Sequence, residues 1–418
     1  MVKKVVILVI DGLGVGAMDD VPVVRPQDAE TNTLKHVMEA NPAIRLPVFE
    51  SLGAGLVVSA PNLQPVENPL ASYGASSLAH EGADTFQGHQ EMMGSSPVPP
   101  VAIPFRCVAQ KVRHALEAAG YRVEQPLGDG GYLLVNGLTV VGDNIEGEPY
   151  LNYNVTAPLD NIPFDEVLKI GRVVRENVEV SRVIVLGGRG ITIDDILSAI
   201  ERTPYGATGV NCVRSGVYKE GYVVRHLGNI RCPELQVTGL ARKAGLPVVL
   251  IGKAADVLYA DGAVFEPCVD TGEVMNILRQ HVSALDSGLV VANVQETDLA
   301  GHSLDALKWA KSLATVDQHL PALLECLGDE DLLFITGDHG NDPIRGAGHH
   351  TREKTLLLVF GKRVSPGPLG IRTTLSDIGA TAAAHLCVGQ TEAGRKMHLT
   401  AGTGGHYDYR KSALGQRP

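Results

Sequence analysis

The sequence predicts an α/β protein, a doubly wound and largely parallel sheet as core with an α+β cap domain inserted into it. Three features predict it. Short runs rich in β-branched residues recur without polar alternation, as in strands covered on both faces. Helical patterns separate those runs, which is the arrangement of right-handed βαβ crossovers. Between about Val101 and His226 the pattern changes to Gly-rich, strand-like pieces with helices of their own.

Taken in order, VVILVI (5–10) is the first core strand and ends at Asp11-Gly12, a turn signal. In EGADTFQGHQEMMG (81–94), Asp84 is a good N-cap and HQEMM is helix-compatible, so a helix starts at Thr85. FRCVAQKVRHALEAAG (105–120) opens the insertion as a helix. GGYLLVNGLTVVGDN (130–144) follows as strands, FDEVLKIGRVVREN (164–177) as a helix and SRVIVLGG (181–188) as a strand. LQVTGLARKAG (235–245) returns to the core as a helix ahead of the strand PVVLI (247–251). GLVVANV (288–294), DLLFIT (331–336) and TLLLVF (355–360) are further buried strands. Between the first two, residues 305–327 place Leu307, Ala310, Leu313, Val316, Leu320 and Leu324 on one helical stripe. The expected division is a core of 1–101 and 227–418, a cap of 102–226, and a disordered tail at 411–418.

The 418 residues exceed what one hydrophobic core usually serves, so two domains are expected. The net charge of −11 argues against a nucleic-acid or anionic-membrane partner, since either would want a basic face. The six cysteines, at 107, 212, 232, 268, 326 and 387, form no CxxC pair and read as reduced thiols. The opening MVKKVVILVIDGLG has an apolar run too short for a signal peptide, and no stretch reaches membrane-spanning length. A cytoplasmic location is expected.

Ligands of an open α/β sheet bind beyond the carboxyl ends of its strands. Reading those ends gives Asp11, then Asp298 and His302 in QETDLAGH, then Asp338 and His339 in GDHG. His349 and His350 follow, just before the TLLLVF strand. Singly, each is ordinary turn or cap chemistry. Together, three aspartates at one sheet edge would repel one another unless cations lay among them. Oxygen and nitrogen donors without thiolate suit Mn²⁺, Zn²⁺ or Mg²⁺, and so many donors suit two ions about 4 Å apart. Of the two late histidines, His350 is the expected ligand because it sits nearer the next strand; the role of His349 stays open. Thr85, a hydroxyl at a helix N-terminus, is well placed for phosphate and, beside a metal, for nucleophilic attack. Lys253 in the IGK stretch is either a phosphate contact or a solvated lysine.

These residues resemble the alkaline phosphatase superfamily, and most closely the phosphopentomutases. The resemblance runs through VIDGLGVGA (9–17), TNTLKH (31–36), LPVFESLG (46–53), GADTFQGHQEMMG (82–94), VVLIGKAADVLYADG (248–262), DEDLLFITGDHGNDPI (329–344) and HTREK (350–354). It implies an alkaline-phosphatase-like core and two divalent metal ions, usually Mn²⁺. It also implies that Thr85 carries the phosphoryl group. One ion would be held by Asp11, Thr85, Asp338 and His339, the other by Asp298, His302 and His350. The implied activity moves phosphate between C1 and C5 of ribose through a bisphosphate, under a mobile cap at about 102–226. The substrate would be a small phosphorylated sugar.

Some positions depart from that pattern. Ala83 stands where phosphopentomutases usually carry the lysine of GKDT, and Asp298 and His302 are four apart where five is usual. After the RVI strand little beyond Arg202-Thr203-Pro204 matches, leaving Arg202 as a substrate contact, and Pro158 takes the place of an acidic one. A dimetal phosphohydrolase, or an inactive metal-binding partner protein, are the alternatives. Oligomeric state is not legible.

Overall fold

The computed structural model describes residues 3–99, 101–126, 128–146, 149–230 and 232–399, so the expected tail at 411–418 lies outside the described residues. The chain divides into two compact units, Met1–Val98 with Ile230–Pro418, and Pro99–Asn229. Among the described residues, no helix is long and apolar enough to cross a membrane.

The first unit is built on a nine-stranded sheet. Its path runs Val264–Glu266, Val248–Gly252, Gly288–Val294, Lys4–Ile10, Leu332–Thr336, Glu353–Phe360, Ser72–Ser76 and Pro368–Arg372, with Gly14–Ala17 pairing on Glu353–Phe360. The first five are parallel neighbours, and Glu353–Phe360 runs antiparallel to Leu332–Thr336. The continuous apolar run of the first strand follows from burial on both sides. Val6, Leu8 and Ile10 pack into one hydrophobic cluster, with Trp309, Leu313 and Leu320 of the Ala306–Glu325 helix. Val5, Ile7 and Val9 pack into a second, with Phe86, Leu240 and Ile378 from helices on the opposite face. A strand in that position has no side left for polar residues.

The Ala306–Glu325 helix corrects one expectation. Leu307 is 49% exposed, while Ala310, Leu313, Val316, Leu320 and Leu324 are buried. The buried stripe starts at Trp309 and Ala310 instead, after a first turn that Asp305 caps through Lys308 N.

The second unit carries a six-stranded sheet in the order Val223–Gly228, Arg182–Gly188, Asn152–Pro158, Thr139–Asp143, Tyr132–Val135 and Val123–Glu124. The helices Phe105–Ala118 and Phe164–Glu176 pack Phe105, Val112, Val167 and Ile170 on one face of it. A smaller cluster around Ile184, Leu186, Ile196 and Cys212 covers the other. Arg202 lies in this unit, at the end of the Ile200–Arg202 strand, with Nη1 3.1 Å from Asp129 Oδ2.

Candidate metal centre

Parallel strands end together, so whatever follows each of them meets at one edge of the sheet. Asp11 directly follows Lys4–Ile10, and Lys253 directly follows Val248–Gly252. Asp298 and His302 sit on the short helix Glu296–His302 beyond Gly288–Val294. Asp298 is therefore inside its own helix, while Asp305 caps the next one. Asp338 and His339 follow Leu332–Thr336, and His350 lies in the loop ahead of Glu353–Phe360.

Thr85 opens the helix Thr85–Met92, whose N-cap Asp84 accepts a hydrogen bond from Gln87 N at 2.9 Å. One turn on, Gly88 faces the backbone of Asp338, where a Cβ would come within 2.5 Å of the Asp338 carbonyl oxygen. Only a glycine lets this helix approach so closely. The approach brings Thr85 Oγ1 to 2.5 Å from Asp338 Oδ2, to which it donates.

The side chains fall into two groups, Asp11 with Asp338 and His339, and Asp298 with His302 and His350. In each group the donor atoms lie within 4.8 Å of one another. His339 Nε2 is 3.3 Å from both Asp11 Oδ1 and Asp338 Oδ2. His302 Nε2 and His350 Nε2 lie 3.5 and 3.3 Å from Asp298 Oδ1 and 3.1 Å from each other. The His339 and His350 rings stack with centroids 3.8 Å apart, which joins the groups. His349 is exposed and belongs to neither.

The three histidines are oriented alike. Nδ1 of His339 donates to Gly340 O, that of His302 to Gly348 O, and that of His350 to Ala83 O, at 2.8–3.0 Å. Each bond places the proton on Nδ1 and aims Nε2 at the carboxylates, the arrangement by which backbone acceptors orient metal-binding imidazoles. Among buried atoms, Asp11 Oδ1, Asp11 Oδ2 and His339 Nε2 have no well-formed hydrogen bond. Lys253 Nζ does lie 2.8 Å from Asp11 Oδ2, but as an ion pair without good hydrogen-bond alignment. Orphaned buried oxygens and an orphaned imidazole nitrogen, all hard or borderline donors, fit divalent cations.

Charge within the cluster is strongly coupled. Burial would raise the carboxyl of Asp338, yet His339, His89 and Lys253 together hold it well below the usual carboxylate range. Burial likewise opposes ionisation of Asp298, and Lys253 and His350 overcome it. Burial disfavours a charged His339, but the Asp338 and Asp11 carboxylates push its imidazole up to about 9. His350 is held below the ordinary histidine value by burial and by neighbouring His339. The ammonium of Lys253 is kept charged against burial by Asp11, Asp298 and Asp338.

Some participants escape a reading of strand ends. His89, fully buried, donates from Nδ1 to Thr85 O at 2.8 Å and sits 3.3 Å from Asp338 Oδ2. Its signal was present, since it is four residues after Thr85 on the same helix face. Asn341 donates to Asp298 Oδ1 at 2.7 Å and fixes that carboxylate from behind. Buried Glu353 accepts from Thr33 Oγ1, Thr351 Oγ1 and Gly16 N, tying the Gly14–Ala17 strand and the start of the Thr33–Ala40 helix to the end of the loop carrying His350. Asn341 with Asp298, and Glu353 with Thr33 and Gly16, pair residues too far apart for any local pattern to reveal. Of the two readings of Lys253, a phosphate contact or a solvated lysine, burial overturns the second: its ammonium is enclosed among the carboxylates.

The chain is similar to known proteins over nearly its whole length. It is 29% identical to a phosphopentomutase of Symbiobacterium thermophilum, covering 95% of this chain and 98% of that one. It is 28% identical to a phosphopentomutase of Caldanaerobacter subterraneus subsp. tengcongensis, covering 96% and 100%. Superposition on a Leishmania mexicana phosphoglycerate mutase covers 95% of this chain and 97% of that one, at 14% identity and a TM-score of 0.41. The family model of the metalloenzyme superfamily matches residues 3–390, a span that takes in every one of these donors, and the chain belongs to that superfamily.

Proposed function

We propose that the chain is a phosphomutase, an isomerase that moves a phosphoryl group between two positions of a sugar phosphate of the ribose 1-phosphate/ribose 5-phosphate type. It works through a phosphothreonine at Thr85 with two divalent cations, Mn²⁺ being the metal expected. The observation that carries the reading is the Thr85 hydroxyl, buried at a helix N-terminus and 2.5 Å from Oδ2 of Asp338, a member of the first donor group. The relatives named phosphopentomutase support the substrate class.

Asp11, Thr85, Asp338 and His339 would hold one cation, and Asp298, His302 and His350 the other. Bound there, divalent cations neutralise phosphoryl oxygens and lower the pKa of an adjacent hydroxyl. The protein does the rest. The N-terminus of the Thr85–Met92 helix favours the phosphate through its free N–H groups and its dipole. In the first transfer the P–Oγ1 bond of phosphothreonine breaks, a sugar hydroxyl oxygen bonds to phosphorus, and the proton of that hydroxyl ends on Oγ1, restoring the Thr85 hydroxyl. In the second, the sugar O–P bond of the other phosphate of the resulting bisphosphate breaks as Thr85 Oγ1 bonds to that phosphorus, and the proton given up by Oγ1 balances the one taken up by the departing sugar oxygen. Enzyme and proton count are restored. Asp338 Oδ2 accepts the Thr85 hydroxyl whenever Thr85 is free. Residues 102–226 take the part of a cap that excludes water, with Arg202 as a sugar-phosphate contact, so that the phosphothreonine outlasts hydrolysis.

A phosphohydrolase acting through the same threonine is favoured by Ala83 and Pro158, which stand where phosphopentomutases usually carry a lysine and an acidic contact. One experiment separates the readings. The Mn²⁺-loaded protein is incubated with a panel of 1- and 5-phosphorylated sugars, and isomerisation and phosphate release are followed in the same tubes. Isomerisation without phosphate release supports the mutase; release alone assigns the hydrolase.

A further inference from the structure

Lys253 Nζ lies between the two donor groups, 2.8 Å from Asp11 Oδ2 in one and 3.4 Å from Asp298 Oδ2 in the other. Its side chain is only 5% exposed, so water does little to screen it. The oxygens are divided in a regular way. Asp11 gives Oδ1 to His339 and Oδ2 to Lys253, while Asp298 gives Oδ1 to His302 and His350, together with Asn341, and Oδ2 to Lys253. Each aspartate thus turns one oxygen towards imidazoles and the other towards the same ammonium.

We propose that Lys253 is a built-in counter-cation, which holds the two donor groups together in the metal-free protein and weakens their hold on divalent metal. The inference rests on the dimetal reading above and adds a device that sets how firmly the metals are kept. Three carboxylates, Asp11, Asp298 and Asp338, are buried within one cluster. Uncompensated buried charge of that kind is strongly destabilising, and the ammonium offsets part of it. A dication entering beside the fixed ammonium meets repulsion in a poorly screened site. Removing the ammonium therefore has two effects of opposite sign: the metal-free fold loses stability and the metal binds more tightly. A lysine serving only to fill space would lower both together, because a disturbed cluster binds metal less well.

The test compares the wild-type chain with Lys253→Met, similar in length and uncharged, and Lys253→Arg, which keeps the charge. Mn²⁺ is titrated calorimetrically into chelator-stripped protein, and the thermal midpoints of the stripped forms are measured alongside. Lys253→Met is expected to bind its first Mn²⁺ about tenfold or more tightly than wild type while its stripped form melts earlier. Lys253→Arg is expected to stay within about threefold of wild type. If stripped Lys253→Met does not stay folded, chelator competition on protein purified in Mn²⁺ reads the same difference as metal retained at higher chelator concentration. Unchanged or weaker Mn²⁺ binding in Lys253→Met overturns the proposal. A wild-type chain that binds no Mn²⁺ at all ends the dimetal reading together with it.

Discussion

Thr85→Ala removes the hydroxyl and the γ-methyl of one buried side chain and leaves every other donor of the cluster in place. Asp338 Oδ2 loses its 2.5 Å donor but keeps His339 and His89 at 3.3 Å, and Oδ1 keeps Gly12 N at 3.2 Å. The carboxylate is thus not stranded, and the stability cost should be that of one hydrogen bond and one buried methyl, about 2 kcal/mol. The remaining donors, Asp11, Asp338 and His339 in one group and Asp298, His302 and His350 in the other, are untouched, so both metals should stay largely in place. Phosphoryl transfer has no such reserve. Loss of a covalent nucleophile typically costs about 10⁴-fold or more, equivalent to about 5.5 kcal/mol of barrier. The assay measures isomerisation of ribose 1-phosphate, metal content and thermal midpoint on one preparation. Turnover equal to wild type would refute the covalent route through Thr85. A collapse of metal content and midpoint along with activity would refute the claim that the hydroxyl is dispensable for the fold.

Asp338→Asn keeps the shape but removes the charge that His339, Lys253 and Thr85 all face, so it should cost metal at one group and activity with it; full metal occupancy by elemental analysis would contradict the assignment. Gly88→Ala drives a Cβ to 2.5 Å from the Asp338 carbonyl oxygen, so the helix must shift and turnover should fall about tenfold or more while a control Ala at exposed His349 stays near wild type. Asp317 is buried at the start of the Pro47–Leu52 helix and accepts from Val48 N and Phe49 N; burial, only partly offset by those bonds, pushes its carboxyl up to about 7. Because the folded state holds that proton more tightly than the unfolded chain, stability should fall as pH rises from about 4 to about 7, by up to about 1.4 kcal/mol per pH unit from this group. Asp317→Asn can still accept both N–H groups through Oδ1, so denaturant titrations should show a flatter profile and greater stability at pH 8; an unchanged profile would show that the group ionises freely.

Much of this was legible in the linear chain because it depends on neighbours in sequence. Strands buried on both faces must be apolar throughout, so VVILVI, GLVVANV and DLLFIT announced themselves, and a parallel sheet then placed Asp11, Asp298 and Asp338 at one edge. Asp84 before Thr85 signalled a helix start. The strands Ser72–Ser76 and Pro368–Arg372 gave no such signal, since SYGAS and PLGIR are short and are held in the sheet by partners far along the chain. The resemblance already implied how the donors divide into two groups, but tertiary structure alone decided why His350 turns inward through Ala83 O while His349 faces solvent, and where Lys253 puts its charge. The reason is physical. Periodicity and capping report interactions across a few residues, whereas Thr85 and Asp338 meet across 253 positions, and only the packed sheet and the close approach at Gly88 bring them together.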